Sequence, residues 1–236
     1  DTCALEPPVF TEIKRRVMAW MHENGVSAYN EETKTGLIRH LYIRKAEQTG
    51  ETMVCLVATS GKFPAASALI ETLRNINGVC SILVNVNKKD TNVILGDREF
   101  TLWGRDTITD ILCGVRVRLS ARSFYQVNRR QAERLYTIAA DFADLKGEET
   151  LLDLYCGAGT IGLSMANRVK DLIGVEIVPE AVEDAKRNAA ENGVENARFL
   201  CADAAKAAKT LAKEGVRPDV VVLDPPRKGC DESLIQ

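Results

Sequence analysis

At 236 residues the chain has room for one large domain or two small ones. Its composition, 45% apolar and 27% charged with 16 glycines and 7 prolines, excludes collagen, low-complexity disorder and a coiled coil. Residues 1–128 carry 16 basic and 14 acidic side chains and residues 129–236 carry 15 and 19, so neither half has the basic excess of a nucleic-acid surface.

In chain order, the spacing of Val9, Ile13, Val17 and Trp20 predicts a helix over Val9–Asn24, stopped by Asn24-Gly25. Leu37–Arg44 and Met53–Thr59 read as strands joined by the polar turn Glu47–Gly50. A helix follows at Ala65–Ile76, then a strand at Ser81–Val86 and a β-rich tract from Val93 to Leu119, broken at Gly96, Gly104 and Gly114. Ser120–Asn128 has little periodicity and reads as a join between domains 1–122 and 123–236.

The second half alternates regularly. A helix over Gln131–Ala143 precedes strands at Thr150–Tyr155, Leu172–Val175, Ala197–Cys201 and Val220–Leu223, separated by helices at Ile161–Arg168, Pro179–Asn192 and Ala204–Glu214. Such alternation predicts an α/β domain with a mostly parallel, Rossmann-like sheet and a ligand site at the carboxyl ends of the strands, behind a smaller α+β domain.

No apolar run approaches the ~20 residues of a membrane span, and the first residues lack a secretory signal. The seven cysteines are odd in number and contain no C-x-x-C, which argues against a disulfide framework and a self-contained zinc site. A cytoplasmic, reducing setting is the expectation. Since the chain does not begin with Met, it is also expected to start part-way through a longer protein.

Gly157-Ala158-Gly159-Thr160-Ile161-Gly162 follows the first strand of the second half and reads G-x-G-x-x-G. The pattern suits a dinucleotide and S-adenosylmethionine equally, and a plain tight βα turn is a third option. Glu176 closes the next strand, where a carboxylate can accept from both ribose hydroxyls, though it is also compatible with an ordinary surface glutamate. Asp203 closes the third strand, suited to an adenine amino group, to capping the following helix, or to both. The fourth strand runs into Asp224-Pro225-Pro226-Arg227-Lys228-Gly229, whose prolines fix φ and remove two donors, a loop that nicotinamide enzymes do not require. Cys156 and Cys201, at strand ends, read as packed thiols. The arginines at 116, 118, 122, 129 and 130 form either a phosphate-contacting stripe or, as preferred here, an ordinary exposed face.

Leu152-Asp153-Leu154-Tyr155-Cys156-Gly157-Ala158-Gly159-Thr160 resembles the nucleotide-binding motif of class I S-adenosylmethionine-dependent methyltransferases. With Arg122-Ser123-Phe124-Tyr125-Gln126-Val127-Asn128, Gln131-Ala132-Glu133 and the Asp224–Gly229 loop, the chain resembles the RNA (uracil-C5)-methyltransferase family, which makes 5-methyluridine in ribosomal or transfer RNA. Asp1-Thr2-Cys3-Ala4-Leu5 and Trp103-Gly104-Arg105-Asp106 extend the resemblance to the first half.

The resemblance implies that Gln126, Tyr155, Glu176 and Asp224 line the cofactor site, with Asp203 as a weaker addition, and that Gln126 and Asp224 sit where the methyl group meets uracil. It implies that Cys3 is one ligand of a 4Fe-4S cluster whose other cysteines would precede Asp1. It further implies covalent catalysis, in which a thiolate adds to C6 of uracil so that C5 attacks the sulfonium methyl. That cysteine, in a Ser-Cys-Asn-Pro-like motif, and a later glutamate base would follow Gln236; Cys230 lies in the wrong motif. The expected chain is therefore monomeric, binds S-adenosylmethionine without methylating RNA alone, and partners RNA, ribosomal before transfer. An amino-group methyltransferase is disfavoured by Arg227, which stands where that class normally places an aromatic after the prolines. A noncatalytic RNA-binding module is disfavoured by the retained cofactor residues.

Overall fold

A computed structural model describes residues 6–227, 229–230 and 232–235. Cys3 and its neighbours lie outside the described residues, as does Lys228. The chain separates into two compact units: residues up to 110 with 119–122, and residues 111–118 with 123 onward.

In the first unit, α1 (Pro8–Glu23) buries Ile13, Val17 and Trp20, the stripe that the spacing predicts. Proline in its first turn is pre-set for the helix. Gly25, at φ 62°, ends it, and the Val26 N–H returns to the Met21 carbonyl at 2.8 Å, a Schellman-type stop. The strands β1 (Ile38–Lys45), β2 (Thr52–Ala58), β3 (Val79–Val86) and β4 (Arg98–Gly104) lie side by side in that order. The pairing is antiparallel, parallel and antiparallel in turn, and α2 (Ala66–Leu73) makes the crossover that the parallel β2–β3 pair requires. Trp20 stacks on Phe63 with ring centres 5.5 Å apart, and its Nε1–H donates to the Ala65 carbonyl at 3.1 Å. Trp20, Val54, Leu56, Leu69, Leu73, Ile82 and Val84 belong to one core on this face of the sheet.

Beyond β4, the β-rich tract resolves into β5 (Ile108–Leu112) and β6 (Val115–Leu119), a two-stranded sheet. Cys113 and Gly114 join them with φ of 49° and 80°, the left-handed pair that a two-residue hairpin turn demands.

The second unit opens with α3 (Arg129–Ala143), capped by the Asn128 side chain accepting from the Gln131 N–H. Four parallel strands follow: β7 (Thr150–Leu154), β8 (Asp171–Glu176), β9 (Ala197–Cys201) and β10 (Val220–Leu223), in the spatial order β10-β7-β8-β9. The helices between them are α4 (Thr160–Met165), α5 (Pro179–Glu191) and α6 (Ala204–Lys213), with a short α7 (Glu232–Ile235) near the end. The helix expected over Ile161–Arg168 is only six residues of α-helix, tightening to a 3₁₀ turn at Ala166–Arg168. Leu152, Leu154, Ile173 and Val175 form one core with Ala204, Ala207 and Leu211 of α6.

Candidate functional site

The strand register sets the site. Leu223 pairs with Leu154, Leu154 with Val175, and Glu176 with Cys201. The next residue along each strand therefore forms a row across the carboxyl edge: Asp224, Tyr155, Glu176 and Cys201. Neighbouring strands are ~4.8 Å apart, so Asp224 and Glu176 start roughly 10 Å from each other.

Above this row, the glycine loop is built as a cradle. Tyr155 leaves β7 in the left-handed region at φ 65°, a conformation that costs a non-glycine residue about 1–2 kcal/mol. Its ring packs half-buried against the core shared with α6, so its packing role is present whatever else it touches. Gly157 has open space where a Cβ would be, leaving room for a ligand to approach the backbone, whereas a Cβ at Gly162 would stand 2.9 Å from Asp153 Oδ2. Asn188 of α5, fully buried, donates to the Ala158 carbonyl at 3.1 Å and accepts from the Arg118 N–H at 3.0 Å, clamping the loop from behind.

The carboxylates differ in occupation. Glu176 Oε1 accepts from the Ile177 and Val178 N–H groups at 2.8 and 2.9 Å, while Oε2 accepts from Gly157 at 3.0 Å and keeps acceptor capacity. Asp203 caps α6, Oδ1 accepting from the Lys206 N–H at 3.1 Å, so the capping reading of this residue holds. Asp224 is exposed at the start of its proline loop.

Sequence reasoning passed over Asp153, although an aspartate inside Leu151-Leu152-Asp153-Leu154 was a visible signal. Its side chain is 1% exposed. Oδ2 accepts from the Gly162 N–H at 2.8 Å, and Oδ1 has no hydrogen-bond partner among the described residues. Burial pushes this carboxyl up to about 7, opposed by the Gly162 bond and reinforced by the Asp224 and Glu176 charges. Tyr136 of α3, its hydroxyl 3.2 Å from Thr160 Oγ1, is also raised by burial and by Asp224 and Asp153. Those couplings bring Asp153, Glu176, Asp224 and Tyr136 into one electrostatic neighbourhood.

Gln126 precedes α3. It lies half-buried in an irregular stretch between Ser123, whose hydroxyl is 3.1 Å from Asp184 of α5, and Asn128, the α3 cap. No hydrogen bond ties Gln126 to the strand ends among the described residues.

Burial raises the Cys156 thiol, helped by Asp153 and Glu176, so it is a packed thiol as expected. Cys201 is a correction: it is exposed at the end of β9, its thiol donating to the Ile177 carbonyl at 3.7 Å, and β9 is the last strand of the sheet among the described residues. Three of the five arginines have partners in their own surroundings. Arg118 pairs with Glu191 and Arg129 with Glu133, and Arg122 donates to the Gly96 carbonyl.

Two surface clefts are lined by residues other than these. One of about 700 Å³ in the first unit is lined by Lys45, Glu51, Cys80 and Arg105. The other, of about 540 Å³, sits at the opposite, amino ends of the strands, beside Thr150, Asp171 and Arg198. Among the described residues no group of three or more His, Cys, Asp or Glu side chains is arranged to hold a metal ion. No helix among them is long and apolar enough to cross a membrane.

Comparison with known proteins bears on this site. Residues 145–229 match the family described as a methyltransferase domain. A protein of Halalkalibacterium halodurans named an uncharacterized RNA methyltransferase is 46% identical over 237 aligned residues, covering 100% of this chain and 52% of that protein. One of the same description from Staphylococcus epidermidis is 44% identical, again over the whole chain and 52% of the relative. The chain thus spans about half the length of the curated relatives it matches. The Pyrococcus abyssi tRNA (uracil-54, C5)-methyltransferase, solved with S-adenosyl-L-homocysteine, superposes with a TM-score of 0.79 at 29% identity, over 99% of this chain and 56% of that one. Along its whole length the chain is similar to proteins named RNA methyltransferases, and its second unit has the Rossmann-like fold of a methyltransferase domain.

Proposed function

We propose that this chain binds S-adenosylmethionine at the carboxyl ends of β7 to β10 and serves the methylation of uracil C5 in RNA. The observation that carries the reading is the row of Asp224, Tyr155 and Glu176 beside a glycine loop with open space at Gly157.

The residues present fit such a cofactor. Its sulfonium and ammonium charges suit strand ends rich in carboxylates, and the unpaired Oδ1 of Asp153 is a buried acceptor awaiting compensation. In this reading Glu176 Oε2 takes a ribose hydroxyl, and Asp203, while capping α6, leaves its other oxygen for the adenine amino group. Tyr155 contributes backbone and ring surface. Gln126 and Asp224 hold the N3–O4 edge of the uracil, since a side-chain amide offers donor and acceptor together. The bound cofactor supplies the methyl group; the chain's part is to hold methyl and C5 ~3–3.5 Å apart and in line, and to exclude water.

Neither Cys55, raised to about 12 by burial, nor the buried Cys156 suits the thiolate nucleophile that uracil C5 chemistry needs. Assignment of that role to a cysteine in the sequence after residue 236 is part of the proposal, as is an iron–sulfur ligand role for Cys3. The RNA is taken as ribosomal on the family resemblance, with transfer RNA the alternative that the Pyrococcus neighbour's own substrate suggests.

Calorimetric titration of this chain with S-adenosylmethionine and with NADH tests the cofactor; binding of NADH alone sinks the reading. Release of tritium from 5-tritiated uridine in ribosomal and transfer RNA, using the longer protein, tests the position and the substrate. Methyl transfer without tritium release excludes C5.

A further inference from the structure

Asp153 enters the reading above only as a buried acceptor, and its surroundings are unusual for a carboxylate. It is sealed in β7, with Oδ2 on the Gly162 N–H at 2.8 Å and Oδ1 unpartnered among the described residues. The titratable groups acting on it or perturbed by it come from several elements: Tyr136 from α3, Cys156 from the glycine loop, Glu176 from β8 and Asp224 from the end of β10, while α4, which also packs on β7, carries no titratable side chain. None of the four is basic. Tyr136 and Cys156 are both raised and stay neutral near pH 7, so none of these four groups supplies a positive charge to hold Asp153 ionised. An ionised carboxylate there, with half its acceptors empty, is an arrangement that water or a cation has to relieve.

Resting on the S-adenosylmethionine reading above, we propose that Asp153 is a proton-linked counter-ion: it holds a proton on its free oxygen while the strand ends carry no bound cation, and gives it up when the positively charged cofactor arrives. The balance is simple. The Oδ1–H bond breaks, the proton passes to the solvent buffer, and the buried negative charge is compensated by the ligand's cationic groups. No electrons move and no co-reactant is needed. Cofactor and proton therefore compete for one carboxylate, and affinity for the cofactor becomes a function of pH around neutrality.

A carboxyl titrating at about 7 is half protonated at that pH. Titration of this chain with S-adenosylmethionine, repeated in buffers of different ionisation enthalpy, counts the protons. The expected release from Asp153 is about half a proton per ligand at pH 7, about 0.9 at pH 6 and about a tenth at pH 8, and affinity falls about tenfold from pH 8 to pH 6. The ligand's own amine, with an ordinary value of about 7.7–8.0, contributes as well. Asp153→Asn shares that contribution and lacks the carboxyl, so the difference between the two chains isolates Asp153.

Equal proton counts in the two chains, with cofactor bound to both, overturn the linkage and leave the cofactor reading standing. Absence of any binding by the unaltered chain overturns both. Should the variant not fold, the unaltered chain decides alone through carbon-13 spectra of its aspartate carboxyls. One carboxyl with a midpoint near 7 in the free chain, ionised throughout in the saturated complex, supports the proposal, and its absence refutes it.

Discussion

Asp110 and Asp153 are both aspartates sealed from solvent, one in each unit, and the fold treats them differently. Asp110 accepts on both oxygens, from the Glu47 N–H at 3.1 Å and the Gln48 N–H at 2.9 Å, and so pins the turn between β1 and β2. The same turn is held by Thr49 donating to the Thr109 carbonyl and by Glu51 accepting from the Thr109 N–H. Asp153 is given one bond and left with an empty oxygen among other acids. A buried carboxylate with both oxygens in use organises backbone; one with a vacancy stores a cost that a ligand can relieve. The difference separates a residue kept for structure from one kept for a site.

The largest effect that tests this contrast is at Asp153. Its carboxyl is raised from 3.8 to about 7 in the folded chain. The folded state then binds more protons than the unfolded one, so stability falls as pH rises from about 4 to about 7 and levels off above. Asp153→Asn removes that burden. In the ligand-free chain it is expected to stabilise by about 4 kcal/mol at pH 8 and by about 2 at pH 5, measured by urea unfolding. A destabilised variant at pH 8 breaks the comparison. Asp110→Asn is expected to act in the opposite direction, losing about 1–3 kcal/mol as an amide donor meets a backbone donor; an unchanged urea midpoint would make Asp110 dispensable.

On the binding side, Glu176→Ala is expected to weaken S-adenosylmethionine by about 1–3 kcal/mol, since it removes both a charged acceptor and the tie to Gly157. Calorimetry that finds unchanged affinity in a folded variant removes Glu176 from the ribose. The smallest expected effect is at Asp203. Its replacement by Ala costs about 1 kcal/mol of stability through the lost α6 cap, and only a minor part of cofactor affinity.

The parallel sheet was legible because each strand is a short apolar run ending in an acid or a glycine turn, and the register then carries those acids to one edge. Glu176 and Asp224 could be named for that reason. Asp153 was passed over because an acid inside an apolar strand looks like an interruption; only the three-dimensional proximity of Glu176 and Asp224 gives it meaning. The exposure of Cys201 was hidden because nothing in Ala197–Cys201 reveals that β9 is the last strand of the sheet among the described residues. Gln126 was nominated from the resemblance, and its stretch lacks the periodicity that would fix a side chain from sequence. The brevity of α4 follows from the loop turning back toward β8 at Ala166–Arg168, a tertiary demand with no local signal.

Gly162 gives the acid at 153 a lasting companion. A methyl group there would stand 2.9 Å from Asp153 Oδ2 and 2.8 Å from Leu172 Cδ1, and only the leucine tip can swing aside. The two positions are therefore bound to vary in step: alanine at 162 should be tolerated where residue 153 has become small, and rejected where the carboxylate remains. Double substitution measured against each single one would register that dependence as a departure from additivity, and would make the smallest residue of α4 a gauge of the charge behind it.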